Sequence, residues 1–263
     1  MGLMRLWLIP EGGEAADGAY LSYPFDDLLR LTVLESHRAR KIIIGEDLGT
    51  VPAGFPKTLG AAGLAGMRVL LFVRDEHGYR PPGHYPRDAI AMTTTHDTPT
   101  LLGWQRSRDI ELRDAIDHLP PGQNADMARL QRAGDKDAMR RVFGTAGLAP
   151  GAHEHMPGER EQGRFAATAI AFTGHSQSLF AAIPLEDIAG QVEQPNLPGT
   201  VDEHPNWRRR YGRPVETILK EGPAGENLAD LQLARPGLLR ASRCSDGAEE
   251  LRREHGLPGK RTG

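Results

Sequence analysis

An α/β fold built on a parallel sheet is predicted by three features of the sequence. Short apolar runs at Ile42–Ile44, Met67–Val73, Ala89–Thr95 and Ser178–Ile183 read as strands buried on both faces. Stretches of helical spacing separate them, and that alternation favours a parallel sheet. Acidic residues follow three of the runs: Glu46-Asp47, Asp97 in His96-Asp97, and Glu186-Asp187. In barrels of parallel strands, chemistry is normally placed where strands give way to their loops.

Taken in order, Leu3–Ile9 reads as a strand end or buried loop, and Gly12–Ser22 as loop. Asp26–Arg40 reads as a helix, with Asp26 and Asp27 in its first turn and Arg38 and Arg40 in its last, complementing the macrodipole. Leu28, Leu31, Val33 and Leu34 are its expected apolar face. Gly45 is expected to let the backbone turn after the isoleucines. Thr50 and Pro52 suit the cap and first position of a short helix through Leu59. Gly60–Gly66 reads as turn, and Arg74–Arg87, with Pro81, Pro82 and Pro86, as a long loop. Thr98 and Pro99 are expected to start a helix carrying Leu101, Leu102 and Trp104. Ile110–Phe143 is charged and helical, interrupted near Pro120–Gly122. Ala149–Gly163 reads as polar loop and Arg164–Ala171 as helix. Gln191–Tyr211 lacks periodicity, and disorder is expected from Gly247.

Composition narrows the function. The 263 residues carry a net charge of −3, and the pI is near 6.4. No nucleic-acid or anionic-membrane partner is therefore expected. The single cysteine, Cys244, excludes an internal disulfide framework and a cysteine-built zinc site. A chain without disulfides fits a cytoplasmic location. No segment approaches the roughly 20 apolar residues of a membrane span. The chain opens almost directly on a hydrophobic piece, as if entered in mid-fold.

The chemistry-bearing candidates are few. Glu46 and Asp97 stand at the ends of two different strands, and paired carboxylates are what glycoside chemistry requires. The competing reading is that each only caps the helix that follows. His96 could hydrogen-bond a sugar hydroxyl, while a metal role lacks any second His or Cys cluster. Asn196–Pro198 and Asp202–Arg210 form a polar, proline-braced loop that could contact substrate with an amide and a stacking indole. It reads equally as a surface loop held by salt bridges. Arg208–Arg210 is one basic cluster in an acidic chain, more often a solvated face than a phosphate site.

Five motifs occur in fixed order: Gly45-Glu46-Asp47-Leu48-Gly49-Thr50-Val51-Pro52, Gly66-Met67-Arg68-Val69-Leu70, Thr95-His96-Asp97-Thr98-Pro99-Thr100, Asn196-Leu197-Pro198-Gly199-Thr200, and Glu203-His204-Pro205-Asn206-Trp207-Arg208-Arg209. Together they resemble the 4-α-glucanotransferases (amylomaltases) of glycoside hydrolase family 77, over about Gly2 to Tyr211. The resemblance implies a (β/α)8 barrel and a retaining transfer of α-1,4-glucan segments between malto-oligosaccharides, with no metal or organic cofactor. It makes Glu46 the general acid/base, Asp97 the transition-state stabiliser, and His96 and Asn196 substrate-binding residues. The family's nucleophilic aspartate lies in an Arg-x-Asp-His motif just before the segment matching Gly2-Leu3-Met4-Arg5-Leu6-Trp7, so the nucleophile is expected to be absent from this chain. The expected architecture is the C-terminal half of the barrel in residues 1–211, with inserted helices at about 105–175 and a divergent tail at 212–263. Such a chain is expected to have little activity alone and to self-associate through open strand edges. A glucan-binding or complementing fragment, or an amylase-like hydrolase, are the alternatives.

Overall fold

The computed structural model describes residues 2–148, 159–220, 231, 234 and 235. The chain divides into two compact units. One comprises the described residues within Met1–Met92 and Ser176–Ala182, the other those within Thr93–His175 and Ile183–Gly263.

The first unit opens on an antiparallel hairpin of β1 (Arg5–Leu8) and β2 (Ala19–Ser22), with Trp7 opposite Tyr20. The expected loop at 12–22 therefore ends in a strand. The hairpin is not buried either: Leu6, Trp7, Leu8, Tyr20 and Leu21 are all exposed. Gly18 makes it possible, since a Cβ there would sit 2.3 Å from the Trp7 indole nitrogen.

Helix α1 (Phe25–Ala39) follows as predicted, but it buries a different face. Leu29 is its buried residue, while Leu31, Val33 and Leu34 are exposed. Leu29 packs with Phe55, Leu59 and Leu64, and Met4, Phe25, Ile43 and Val51 close around them. Helix α2 (Phe55–Ala61) supplies Phe55 and Leu59. It begins later than Thr50 and Pro52 suggest, because Gly54 takes the cap position at φ 82° and Pro56 enters the first turn.

The parallel sheet consists of β3 (Gly66–Val69), β6 (Ala89–Met92) and β7 (Phe180–Ala182), in that order. Gly66 pairs with Ala89, and Ile90 with Phe180. Beside β3 the isoleucine segment is reduced to one parallel bridge, Ile44 to Ala65. Ala65 donates to the Ile43 carbonyl at 3.1 Å and Gly45 donates to the Ala65 carbonyl at 2.8 Å. Only Ile43 reaches the core. Ile42 is 65% exposed and Ile44 41%, so burial on both faces does not hold there.

The Met67–Val73 run also divides. β3 ends at Val69, and Leu70–Phe72 winds into a 3-10 turn. An apolar run cannot by itself distinguish strand from tight turn. The long loop after it holds a small hairpin, β4 (Arg74–Asp75) with β5 (Gly78–Tyr79), and a 3-10 turn at Pro82–His84 that buries Tyr85 at 2% exposure.

The second unit is helical. α3 (Leu101–Arg106) is capped by Thr100, whose hydroxyl accepts from the Gly103 amide, so the cap lies just past Thr98 and Pro99. α4 (Arg108–Asp114) and α5 (Ala125–Thr145) flank the predicted interruption, and Asn124 caps α5. α6 (Glu159–Gly174) exceeds the expected Arg164–Ala171 at both ends. α7 (Leu185–Ile188) and α8 (Val215–Ile218) are single turns. Arg132 ties three helices together. It forks onto Asp109 at 2.9 and 2.8 Å, donates to the Trp104 carbonyl at 2.7 Å, and lies over the Trp104 ring. Trp104, Phe165, Phe143 and Phe172 form a continuous aromatic core. Residues 191–211 contain neither helix nor strand, as expected. The disorder expected from Gly247 lies outside the described residues.

Replacing Phe172, which is fully buried, with alanine is expected to cost about 3–5 kcal/mol in urea denaturation. Leu130→Ala, at a position 77% exposed, is expected to stay within about 0.5 kcal/mol.

Candidate active site

Glu46 and Asp47 follow the bridged isoleucine segment and have opposite fates. Asp47 is 8% exposed. It accepts the Met67 amide at 2.7 Å and an Arg68 guanidinium N–H at 2.7 Å. Gly66 leaves the space, because a Cβ there would lie 2.7 Å from the Asp47 carboxylate. Glu46 is exposed. Its neighbour Asp47 is thus locked onto β3, while Glu46 itself lies at the surface. Gly45 does not turn the chain as expected. It lets Leu59 approach, since a Cβ there would sit 2.9 Å from a Leu59 methyl. The left-handed turn falls at Gly49, φ 79°. A cleft of about 580 Å³ begins at Asp47, Leu48 and Gly49 and is walled by Arg68, Phe72 and Arg74.

His96 and Asp97 lie in the second unit, on the turn between β6 and α3. Thr98 shapes that turn. Its hydroxyl accepts from the Thr95 amide at 2.8 Å and donates to the Thr95 carbonyl at 3.1 Å. His96 Nε2 lies 3.3 Å from Asp97 Oδ2, and both side chains are more than half exposed. Asn196 donates from Nδ2 to Asp97 Oδ1 at 2.7 Å, across 99 residues of sequence. Three of the four candidate residues, His96, Asp97 and Asn196, therefore come together in one unit. Glu46 belongs to the other.

The loop holding Asn196 is built from amides. Gln194, 2% exposed, donates to the Asn196 carbonyl at 2.6 Å. His204, 3% exposed, meets the Gln194 carbonyl at 3.2 Å through Nε2. Asn206 accepts from the Leu197 amide at 2.9 Å and donates to both the carbonyl and the hydroxyl of Thr200. Trp207 has φ 60°, a conformation that is an outlier for a bulky residue. Its amide donates to the Pro195 carbonyl at 3.0 Å, and its indole, 65% exposed, lies 5.4 Å from the His96 ring. A cleft of about 270 Å³ opens there, lined by His96, Trp207, Glu186, Glu193, Arg209 and Tyr211. An exposed indole beside a carboxylate, an amide and an imidazole can stack on a sugar ring and bond its hydroxyls.

The family model described as 4-alpha-glucanotransferase matches residues 1–215. The chain belongs to this family. It is 35% identical over 220 residues to the 4-alpha-glucanotransferase of Haemophilus influenzae, covering 83% of this chain and 31% of that protein. It is 34% identical over 215 residues to that of Mycobacterium tuberculosis, covering 79% and 28%. The chain thus spans under a third of the length of these relatives. Among solved structures it resembles amylomaltase from Corynebacterium glutamicum, with a TM-score of 0.77 at 24% identity, covering 88% of this chain and 34% of that one. Amylomaltase from Streptococcus agalactiae in complex with acarbose gives 0.61 at 18%, covering 89% and 39%. These two likenesses concern the fold.

Asp187 is a residue of this family member that sequence reasoning passed over as the end of a strand motif. It is 1% exposed. Its Oδ2 accepts the hydroxyls of Thr93 and Thr94, each at 2.5 Å, and its Oδ1 accepts the Leu101 amide at 2.7 Å. Burial pushes its pKa up to about 6, against the opposing pull of those three donors. Among the described residues, no group of three or more His, Cys, Asp or Glu could hold a metal ion, and no helix is long and apolar enough to cross a membrane.

The raised pKa gives Asp187 a defined linkage. Between about pH 4 and pH 6 the folded chain holds a proton that the unfolded chain has released. The contribution of Asp187 to stability is therefore fully present below about pH 4 and lost as pH rises through about 6. Denaturation midpoints measured across this window are expected to fall with pH more steeply in the native chain than in Asp187→Asn, which cannot titrate. Equal slopes would show that Asp187 keeps an ordinary pKa.

Proposed function

We propose that the chain supplies the acid/base side of a retaining 4-α-glucanotransferase site acting on α-1,4-glucans such as malto-oligosaccharides. The observation that carries this reading is the bond from Asn196 to Asp97, with His96 and an exposed Trp207 beside it, in a member of this family. Glu46 protonates the leaving glycosidic oxygen. It then acts as base on the acceptor hydroxyl. Asp97, oriented by Asn196, holds the hydroxyls next to the reacting carbon as positive charge develops there. His96 and Asn196 bind sugar hydroxyls, and Trp207 offers a stacking face. The chemistry calls on no metal or organic cofactor.

The half-barrel reading is part of this proposal. The parallel order of the bridged isoleucine segment, β3, β6 and β7 follows chain order, as successive strands of a (β/α)8 barrel do. The nucleophile then belongs to the part of the relatives' length that this chain does not span. In a second reading, the chain binds glucan and completes a site with another polypeptide. Exposed Leu6, Leu8, Ile42 and Ile44 also support association through that unit.

Maltotriose separates these roles. The chain alone is expected to bind it with quenching of Trp207 fluorescence, abolished in Trp207→Ala, and to convert little. With a polypeptide supplying the remainder of a relative's length, glucose and longer oligomers are expected. Glu46→Gln should lower that rate by about 10²–10⁴-fold and leave binding intact. An undiminished rate would remove Glu46 from the reaction, and products shorter than maltotriose alone would mean hydrolysis.

A further inference from the structure

Asp187 takes no part in the chemistry above, yet its bonds bracket the residues that do. We propose that Asp187 is a positioning residue, which fixes the turn carrying His96 and Asp97 and thereby sets the contact between Asp97 and Asn196. The functional importance of that contact rests on the glucanotransferase reading.

Thr93 and Thr94 directly follow β6, and Leu101 is the first residue of α3. One carboxylate holds both ends of the intervening segment. Within that bracket Thr98 closes the turn, and the Asp97 amide donates to the Thr95 hydroxyl at 3.3 Å. The turn therefore moves with its two tethers.

The other side of the contact is tied to the same element. Beyond α7, the carbonyls of Gln191 and Val192 accept the Thr100 hydroxyl at 2.7 and 3.0 Å. α3 packs so closely there that a Cβ on Gly103 would lie 2.4 Å from the Val192 carbonyl oxygen. The chain then passes through Gln194 to Asn196, whose carbonyl Gln194 holds. The bond from Asn196 to Asp97 closes a ring of contacts, and Asp187 closes it at the opposite point.

Three donors on two oxygens explain why a carboxylate stands here. Asparagine keeps one acceptor oxygen, which the Leu101 amide needs, so both threonine hydroxyls must rotate to accept from its side-chain amide. Alanine leaves a buried amide and two hydroxyls unpaired.

The test follows the Asn196 side-chain amide by nitrogen-15 NMR in the whole chain. Asp187→Asn and Thr94→Val are expected to shift that amide and the His96 ring signals, and to weaken maltotriose binding about tenfold. Thr94→Ser, which restores the hydroxyl, is expected to return all three to the native values. Ile170→Val, a change at a buried position of α6 that bonds to none of the tether residues, is expected to lower stability and leave the signals in place. Folded Asp187→Asn and Thr94→Val chains with an unmoved Asn196 amide would overturn the proposal. A native chain that fails to bind maltotriose would overturn the glucanotransferase reading instead, and the amide shifts would still judge the tether.

Discussion

A parallel strand that ends leaves the next stretch of backbone without a partner, and this chain meets that constraint twice with a buried aspartate. Asp47 accepts the Met67 amide at the start of β3, and Asp187 accepts the Leu101 amide at the start of α3. Each also takes side-chain donors: Arg68 in the first case, Thr93 and Thr94 in the second. Beside each anchor stands an exposed acid. Glu46 precedes Asp47 directly, and Asp97 lies on the turn that Asp187 brackets. The division of labour is the same in both units. A buried carboxylate holds the backbone, and an exposed carboxylate is displayed beside it.

Much of the frame was legible because its signals are local. The macrodipole pattern of α1, the break near Pro120–Gly122 and the lack of periodicity over 191–211 each belong to short stretches of sequence. His96, Asp97 and Asn196 were legible as residue types in motifs, and the fold brings them together. The errors share one cause, which is tertiary contact. Ile42 and Ile44 look like a central strand, but the described sheet pairs them on one side only. Gly45 looks like a hinge, but it is a gap filled by Leu59. The apolar face of α1 rotates from Leu31 and Leu34 to Leu29, because Phe55, Leu59 and Leu64 arrive on that side. No spacing rule within α1 contains that information.

Asp187 was illegible for a related reason. An acid that follows an apolar run reads as the polar end of a strand motif. Its actual donors come from residues more than eighty positions earlier. The amides of Gln194, Asn206 and Asn196 were visible as a polar loop, but polarity alone does not say which of them points outward. Gln194 and Asn206 bond within their own loop, and Asn196 keeps its side-chain amide for Asp97.

Energetic magnitudes decide what such an anchor is for. Withdrawing a carboxylate from water costs several kcal/mol, and each bond from a neutral donor to a charged acceptor returns about 2 kcal/mol. Three bonds against one desolvation leave a small net, so Asp187 contributes little to holding the fold together as a whole. Direction is what remains once those energies nearly cancel. A hydrophobic replacement of equal volume would fill the space, yet it would leave Thr93, Thr94 and Leu101 free to choose other partners. The strained backbone of Trp207 fits the same logic, since an unfavourable φ of 60° persists where the Pro195 carbonyl accepts its backbone amide and the His96 ring lies beside its indole. In this part of the molecule stability and placement are separable, and the residues around Asp97 are arranged for placement.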